Sequence, residues 1–336
     1  MILIFFEHDD GRPLRTSLEA LTLAADLAAR TGARVEGIAL GPRAADLAGE
    51  LAASPVDRLL VVDDPRLADY APAAWAAALA EAMTARRPAV VLAGGSERGH
   101  EVLAHLGARL GLPLATNVTA VEEVAEGAAG GVSLVLTRQR WAGSLLEEAR
   151  LEAQPALLTV AAHVFPVAET AAADGRPAPS VEPISVTLQE ADLLVRVVER
   201  EATAVGGVSL TDARVVVGGG RGVGSAEAFA LLDELAALLG GAVGVSRVVT
   251  SAGWRPHSQQ IGQTGARIAP DLYIACGISG AIQHIVGCRA ARKILAINTD
   301  PEAPIMSRAD YAVIGDLHTV LPAIIAEIRK AQGAAA

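Results

Sequence analysis

Short runs of β-branched and other apolar residues alternate along this chain with longer Ala- and Leu-rich stretches whose apolar positions recur at helical spacing. In the first half, Ile2–Phe6, Val35–Leu40, Arg58–Val62 and Ala89–Ala93 read as strands. Ser17–Arg30, Ala73–Ala85 and His100–Leu110 read as helices, the last of them stopped by Gly111. Such a βαβ rhythm predicts a parallel sheet covered by helices. From Pro166 to Pro183 periodicity is weak and Pro and Ala are frequent, which marks a loop or linker. Ile184–Leu188 and Leu193–Val198 then read as two further strands placed to close the first sheet.

A second, tighter series starts at Arg214. Val215–Val217, Val243–Val249, Leu272–Cys276, Ile294–Ile297 and Tyr311–Ile314 read as strands, with helices near Ala226–Leu239, Ala281–Ala290 and Thr319–Lys330. The predicted fold class is α/β in two domains, each a mostly parallel sheet flanked by helices. A Rossmann-like domain is expected over residues 1–202, including the linker near 166–183, and a second domain over 203–332, with a tail at 333–336.

Composition narrows the function classes. Hydrophobic residues make up 51% of 336, so a sizeable core is available to two domains. A net charge of -10 with only 3% aromatic residues supplies neither a basic groove nor stacking platforms, so nucleic acid is not an expected partner. The most apolar long stretch, Leu272–Cys288, carries Gln283 and His284, so no membrane insertion is expected. The N-terminal Met1–Phe6 meets Glu7, Asp9 and Asp10 at once and reads as a first strand, which places the protein in the cytoplasm, or in a matrix without a presequence. Two cysteines, Cys276 and Cys288, are too few for a disulfide framework, a zinc site or a Cys-ligated cluster and read as small core hydrophobes.

Unusual polar residues gather at the predicted carboxyl ends of the second series, where an open parallel sheet binds its ligands. They are Gly218 to Ser225 after the first strand, Ser246 and Arg247 at the second, Gly277 to His284 after the third, Asn298 at the fourth and Asp316 after the fifth. The glycine run fails the dinucleotide fingerprint, with Val223 at the third glycine position, and fails the P-loop, with Ser225 in place of Lys. The loop Gln259 to Gly265 concentrates amides, a hydroxyl and glycines, which suit the neutral donors and acceptors on an isoalloxazine edge. Taken singly, Thr264 reads more readily as a helix N-cap and His284 as a packed helix histidine than as ligand contacts.

Read together, Gly219-Gly220-Arg221-Gly222, Ser246-Arg247, Gly262-Gln263-Thr264-Gly265, Gly277 to His284 and Ala296 to Ile305 resemble the FAD domain of the electron transfer flavoprotein alpha subunit. The first domain is similar more loosely, through Gly94 to Gly99 and Leu114 to Val121. The resemblance implies a cofactor, one FAD, and a heterodimer with the electron transfer flavoprotein beta subunit. It implies that Arg221, Ser246 and Arg247 contact the flavin, with Thr264 near N5 in the stretch Gln260, Ile261, Gly262, Gln263, Thr264, Gly265. His284 falls at the O2 edge, and Ser279, Gly280, Ala281, Ile282 and Gln283 along the ribityl and pyrophosphate part. Asn298, Asp316 and Leu317 fall toward the adenosine. In the loop ahead of Gln260, Ser251 replaces a common Asp and Trp254 to Ser258 is more basic than the family pattern.

An electron carrier without substrate chemistry of its own is the implied function. Arg247 and His284 are the candidates for stabilising negative charge on the reduced ring. Electrons would come from dehydrogenases, acyl-CoA dehydrogenases among them, and pass to a quinone oxidoreductase or the respiratory chain; a nitrogen-fixation or bifurcating relative would share the pattern. The alternatives are a nucleotide-dependent oxidoreductase binding NAD or FAD in the same crevice and a regulatory module binding an adenine nucleotide without redox chemistry. No nucleophile-base pair, paired carboxylates or metal-ligand cluster supports hydrolysis or group transfer.

Overall fold

The computed structural model describes residues 1–127, 130–167, 177–197 and 208–334. The chain divides into two compact units, Met1–Glu201 and Ala202–Ala336. Residues 168–176 of the expected linker, and 198–207 around the expected domain boundary, lie outside the described residues.

In chain order the first unit contains β1 (Ile2–Phe5), a small hairpin of β2 (His8–Asp9) and β3 (Arg12–Pro13), α1 (Arg15–Thr31), β4 (Val35–Leu40), α2 (Leu47–Glu50), β5 (Val56–Val62), α3 (Pro72–Arg86), β6 (Val90–Gly94) and α4 (Glu97–Leu110). There follow β7 (Leu114–Glu126), β8 (Val132–Arg140), β9 (Leu145–Ala153), β10 (Ala156–Val160) and β11 (Ser180–Pro183). One nine-stranded sheet runs in the order β11-β5-β4-β1-β6-β10-β7-β8-β9. Its strands are parallel from β11 to β7 and antiparallel through β7, β8 and β9. Helix α1 buries Ala20, Leu23, Ala24 and Leu27 against one face. On the other face α3 and α4 bury Ala74, Ala78, Leu79, Leu103 and Leu106, the alanines allowing close helix approach.

Two expected strands are not strands. Ile184–Leu188 is irregular, and residues 190–193 form a 3-10 turn held by Asp192, whose carboxylate accepts from the Gln189 N–H at 3.0 Å and from Arg109 at 2.7 Å. The strand that extends the sheet is β11, within the Pro-rich stretch read as a loop. It pairs with β5 at the sheet edge, where Pro183 is tolerated.

The second unit comprises β12 (Val215–Gly219), α5 (Ala230–Leu238), β13 (Ala242–Val245), α6 (Arg247–Ser251), β14 (Leu272–Cys276), α7 (Ile282–Cys288), β15 (Ile294–Asn298), β16 (Tyr311–Ile314) and α8 (Leu317–Ala334). All five strands are parallel, in the order β13-β12-β14-β15-β16. The chain moves outward from β12 to β13 and then returns to the other side of β12 for β14. A switch point therefore lies between β12 and β14, and a crevice opens beyond their carboxyl ends. Phe229, Leu232, Leu235, Leu321 and Ile325 fill one side of this sheet, and Ile261, Ile278, Cys288 and Ile305 the other. Among the described residues no helix is long and apolar enough to cross a membrane.

Candidate functional site

The glycine run after β12 divides into two jobs. Gly218 and Gly219 are still strand residues: a Cβ on Gly218 would sit 2.2 Å from the Tyr273 hydroxyl, and one on Gly219 would sit 2.3 Å from the Phe229 ring. Their missing side chains make room for core aromatics, not for a ligand. Gly220 and Gly222 form the turn. The Gly220 N–H donates to the Cys276 carbonyl at 2.9 Å and the Gly222 N–H to the Gly277 carbonyl at 3.0 Å. A Cβ at either would meet Gly277 backbone at 2.2 or 2.7 Å, so these two turns interlock only as glycines. Arg221 between them is left exposed.

The second strand is shorter than the run Val243–Val249 predicts. It ends at Val245, and Ser246 turns the chain into α6, so Arg247 opens a helix. Val248, Val249 and Thr250 favour strands by their β-branched side chains, but burial of Val249 in the unit's core fixes them as helix. Arg247 is exposed, and neither it nor Arg221 has an ion-pair partner among the described residues. Arg255 differs: it lies 5.0 Å over the Phe229 ring and pairs with Asp233, so the basic stretch ahead of Gln260 is partly neutralised from within.

Gln260 shapes the next loop. Its side chain is buried; Nε2 donates to the Thr264 carbonyl at 3.1 Å and to Thr264 Oγ1 at 2.9 Å, while Oε1 accepts from Thr250 Oγ1 at 2.7 Å. Every group of this amide that has a bond spends it on the protein. Thr264 is not a helix cap: it sits in a turn, exposed, and because its oxygen accepts from Gln260 its own O–H is left to donate. The loop is seated on α7 by the Gln263 N–H, which donates to the Gln283 carbonyl at 2.8 Å.

His284 faces the same space from α7. It is 6% exposed, Nε2 lies 2.7 Å from the Tyr273 hydroxyl, and Nδ1 is buried without a hydrogen-bond partner. Burial lowers the imidazole to about 4, an effect the Ile261 backbone offsets in part. Burial thus favours the neutral ring, which offers a hydrogen bond to the cleft.

These elements enclose a cleft of about 690 Å³, within the range of about 300–1,000 Å³ usual for small-molecule sites. It brings together Arg221, Ser246, Arg247, Gln260, Ile261, Gly262, Gln263, Thr264, Ser279, Gly280, Ala281, Gln283, His284 and Asn298. Four expected residues are not among its lining. Gly265 closes the loop on itself, where a Cβ would lie 2.3 Å from the Gln260 carbonyl. Ile282 is 77% exposed on the outer side of α7, and Leu317 is 4% exposed in the core. Asp316 accepts from the His318 N–H at 2.9 Å and so caps α8. Asn298 is partly spent as well, Nδ2 donating to the Ile278 carbonyl at 2.9 Å. Val248, Ser251, Ile278, Asp300 and Ala303 also line the cleft. Apart from Ser251, these carry side chains ordinary for a core or a loop, and only their position next to strand ends marks them.

Similarity to known proteins agrees with this geometry. A family model for the electron transfer flavoprotein domain matches residues 2–186, and one for the electron transfer flavoprotein FAD-binding domain matches residues 209–289. The electron transfer flavoprotein subunit alpha of Thermoanaerobacterium thermosaccharolyticum is 34% identical, over 98% of both chains. That of Megasphaera elsdenii is 36% identical over 99% of this chain and 98% of its own, and the Protein FixB of Clostridium saccharobutylicum 35% over 98% and 96%. With full-length identity at this level and both domain models matched in order, the chain belongs to the electron transfer flavoprotein alpha-subunit family, whose members carry electrons.

Proposed function

We propose that this chain holds one FAD in the cleft of its second unit and works as the alpha subunit of a heterodimeric electron carrier, a beta subunit completing the pocket. The observation that carries the reading is a single cleft at a sheet switch point where Arg221 and Arg247, both without carboxylate partners among the described residues, share the lining with Thr264 and His284. The donor set suits a flavin dinucleotide. The buried, unpartnered His284 Nδ1 asks for a ligand atom, the Thr264 O–H is left to donate, and two cations suit a pyrophosphate and a ring that gains negative charge.

Once bound, FAD supplies the redox chemistry by taking up and releasing electrons. The chain's own residues do the rest. Arg247 would set a positive potential at the ring, Thr264 would offer its O–H to the N5 edge, and His284 would offer a hydrogen bond at the O2 edge. Gly220, Gly222 and Gly277 let the two turns close on one another, so that Arg221 and the stretch Ser279, Gly280 and Ala281 line the same cleft. Gln260 and Asn298 hold the loops in shape. In this reading, electrons arrive from dehydrogenases, acyl-CoA dehydrogenases foremost, and leave to a quinone oxidoreductase or the respiratory chain.

The test is co-expression with the beta subunit, purification, and a visible spectrum before and after dithionite or a dehydrogenase with its substrate. A yellow protein whose flavin bands bleach on reduction is expected. A heterodimer that stays colourless with excess FAD overturns the proposal.

A further inference from the structure

The geometry points to Tyr273 as a positioning residue that decides which ring nitrogen of His284 carries the proton, and thereby what the imidazole offers to the cleft. The inference rests on the reading of the cleft as the flavin site. It concerns a strand residue that does not line the cleft and that acts through its neighbour.

Tyr273 lies on β14 and is 0% exposed. Its hydroxyl reaches across to α7, 2.7 Å from His284 Nε2, and has no other hydrogen-bond partner among the described residues. Space for the hydroxyl exists because the neighbouring strand residue is Gly218, where a Cβ would lie only 2.2 Å away. A phenol has one hydrogen to give, and a neutral imidazole has one N–H and one bare nitrogen, so only two arrangements connect the pair. If Nε2–H donates to the phenol oxygen, the phenol hydrogen and the bare Nδ1 are both buried without partners. If the phenol donates to Nε2, one orphan remains, the hydrogen on Nδ1. The second arrangement leaves the fewest buried polar groups unsatisfied, and its single orphan belongs to a side chain that lines the cleft.

The Ile261 backbone also acts on the imidazole, and the titratable groups beside the phenol leave this choice undisturbed. Cys276 and Cys288 are the titratable neighbours acting on the phenol, and burial pushes both thiols up to about 12, so both are neutral. Burial raises the phenol itself well above its ordinary value, so it remains a donor. Tyr273 thus fixes His284 as an Nδ1–H donor before any cofactor arrives. A ligand acceptor near Nδ1, such as a flavin carbonyl, meets a preset hydrogen with no tautomer change.

Two measurements on the heterodimer test this. With ¹⁵N-labelled histidine, the deflavinated wild-type protein is expected to show His284 with a protonated Nδ1 and a hydrogen-bonded, unprotonated Nε2. A protonated Nε2 overturns the inference without any variant having to fold. In the flavin-loaded protein, Tyr273→Phe is expected to change the reduced-to-oxidised ratio at fixed poise by about tenfold, which is about 30 mV for a two-electron couple. In a His284→Gln background the same substitution should change that ratio by less than about twofold, because the interaction it breaks is already absent. A purely structural role for Tyr273 would give equal effects in both backgrounds and sink the proposal. If His284→Gln leaves the spectrum, the potential and FAD affinity unchanged, the reading of the cleft fails. If His284→Gln shifts them and Tyr273→Phe alone does not, only the present inference fails.

Discussion

Burial of His284 makes the second unit sensitive to mild acid. The imidazole titrates near 6.5 when exposed and is lowered to about 4 in the fold. Above pH 6.5 the ring is neutral in both states and folding loses nothing. As pH falls below 6.5 the unfolded chain takes up a proton that the folded chain refuses until about pH 4, so stability is lost across that window, by about 3 kcal/mol in all. About 2 kcal/mol of this falls between pH 7 and pH 5. Urea unfolding of the deflavinated protein at those two pH values should therefore show a difference smaller by that amount in His284→Gln than in wild type; equal differences would mean that the buried ring is not held neutral. At this scale the sequence was partly legible. Arg221, Arg247, Thr264 and His284 stood out as polar residues at strand ends of an otherwise Ala/Val/Leu-rich unit, and they line one cleft. Gly218 stood out only as the start of a glycine run read as a ligand turn, and Tyr273 did not stand out. A glycine making room for a hydroxyl on the next strand, and a tyrosine within the apolar run Leu272–Cys276, follow patterns that core packing alone would produce.

Elements form where local pattern and tertiary packing agree, and the turn at 190–193 shows a case in which packing decides. Leu193 to Val198 is an apolar run that reads as a strand, yet Asp192 anchors the start of its described part as a 3-10 turn through the Gln189 N–H and Arg109 of α4. The Asp192 side chain is only 7% exposed, while Arg109 keeps 39%, so the pair is part-buried and its removal strands a half-screened cation. Asp192→Ala should cost about 1–3 kcal/mol in urea unfolding and speed amide exchange across residues 184–194 while leaving the second unit's exchange unchanged. Uniform acceleration through both units would contradict a local clasp. The parallel strands β1, β4, β5, β6, β12, β14 and β15 were legible because largely buried strands read as continuous apolar runs, and the exposed edge strand β16 was legible from its short apolar run Tyr311–Ile314. The antiparallel β7, β8 and β9 were not: their half-exposed positions mix Glu, Arg and Thr with Val and Leu, and they diverge from the βαβ rhythm that set the expectation.

Over the whole molecule a net charge of -10 would repel an anionic cofactor, so local arrangement has to reverse the sign where the cofactor binds. Several cations in the second unit are occupied: Arg214 and Arg292 with Asp271, Lys293 with Asp310, Arg255 with Asp233 and Arg329 with Glu234. Arg221 and Arg247 have no such partners among the described residues, and both line the cleft, where their fields add. The attraction they exert on a pyrophosphate is partly solvent-exposed and so depends on ionic strength, with a screening length of about 10 Å at 0.1 M and 3 Å at 1 M. Flavin-fluorescence titration of the deflavinated heterodimer should therefore show FAD affinity weakening as KCl rises from 0.05 to 0.5 M. The double variant Arg221→Gln, Arg247→Gln should bind FAD at least about tenfold more weakly at the lower salt, a loss of about 1.4 kcal/mol, and should flatten the salt dependence. Equal slopes for wild type and variant would show that the cofactor is drawn in by cations elsewhere, and the sign reversal assigned to these two side chains would be wrong.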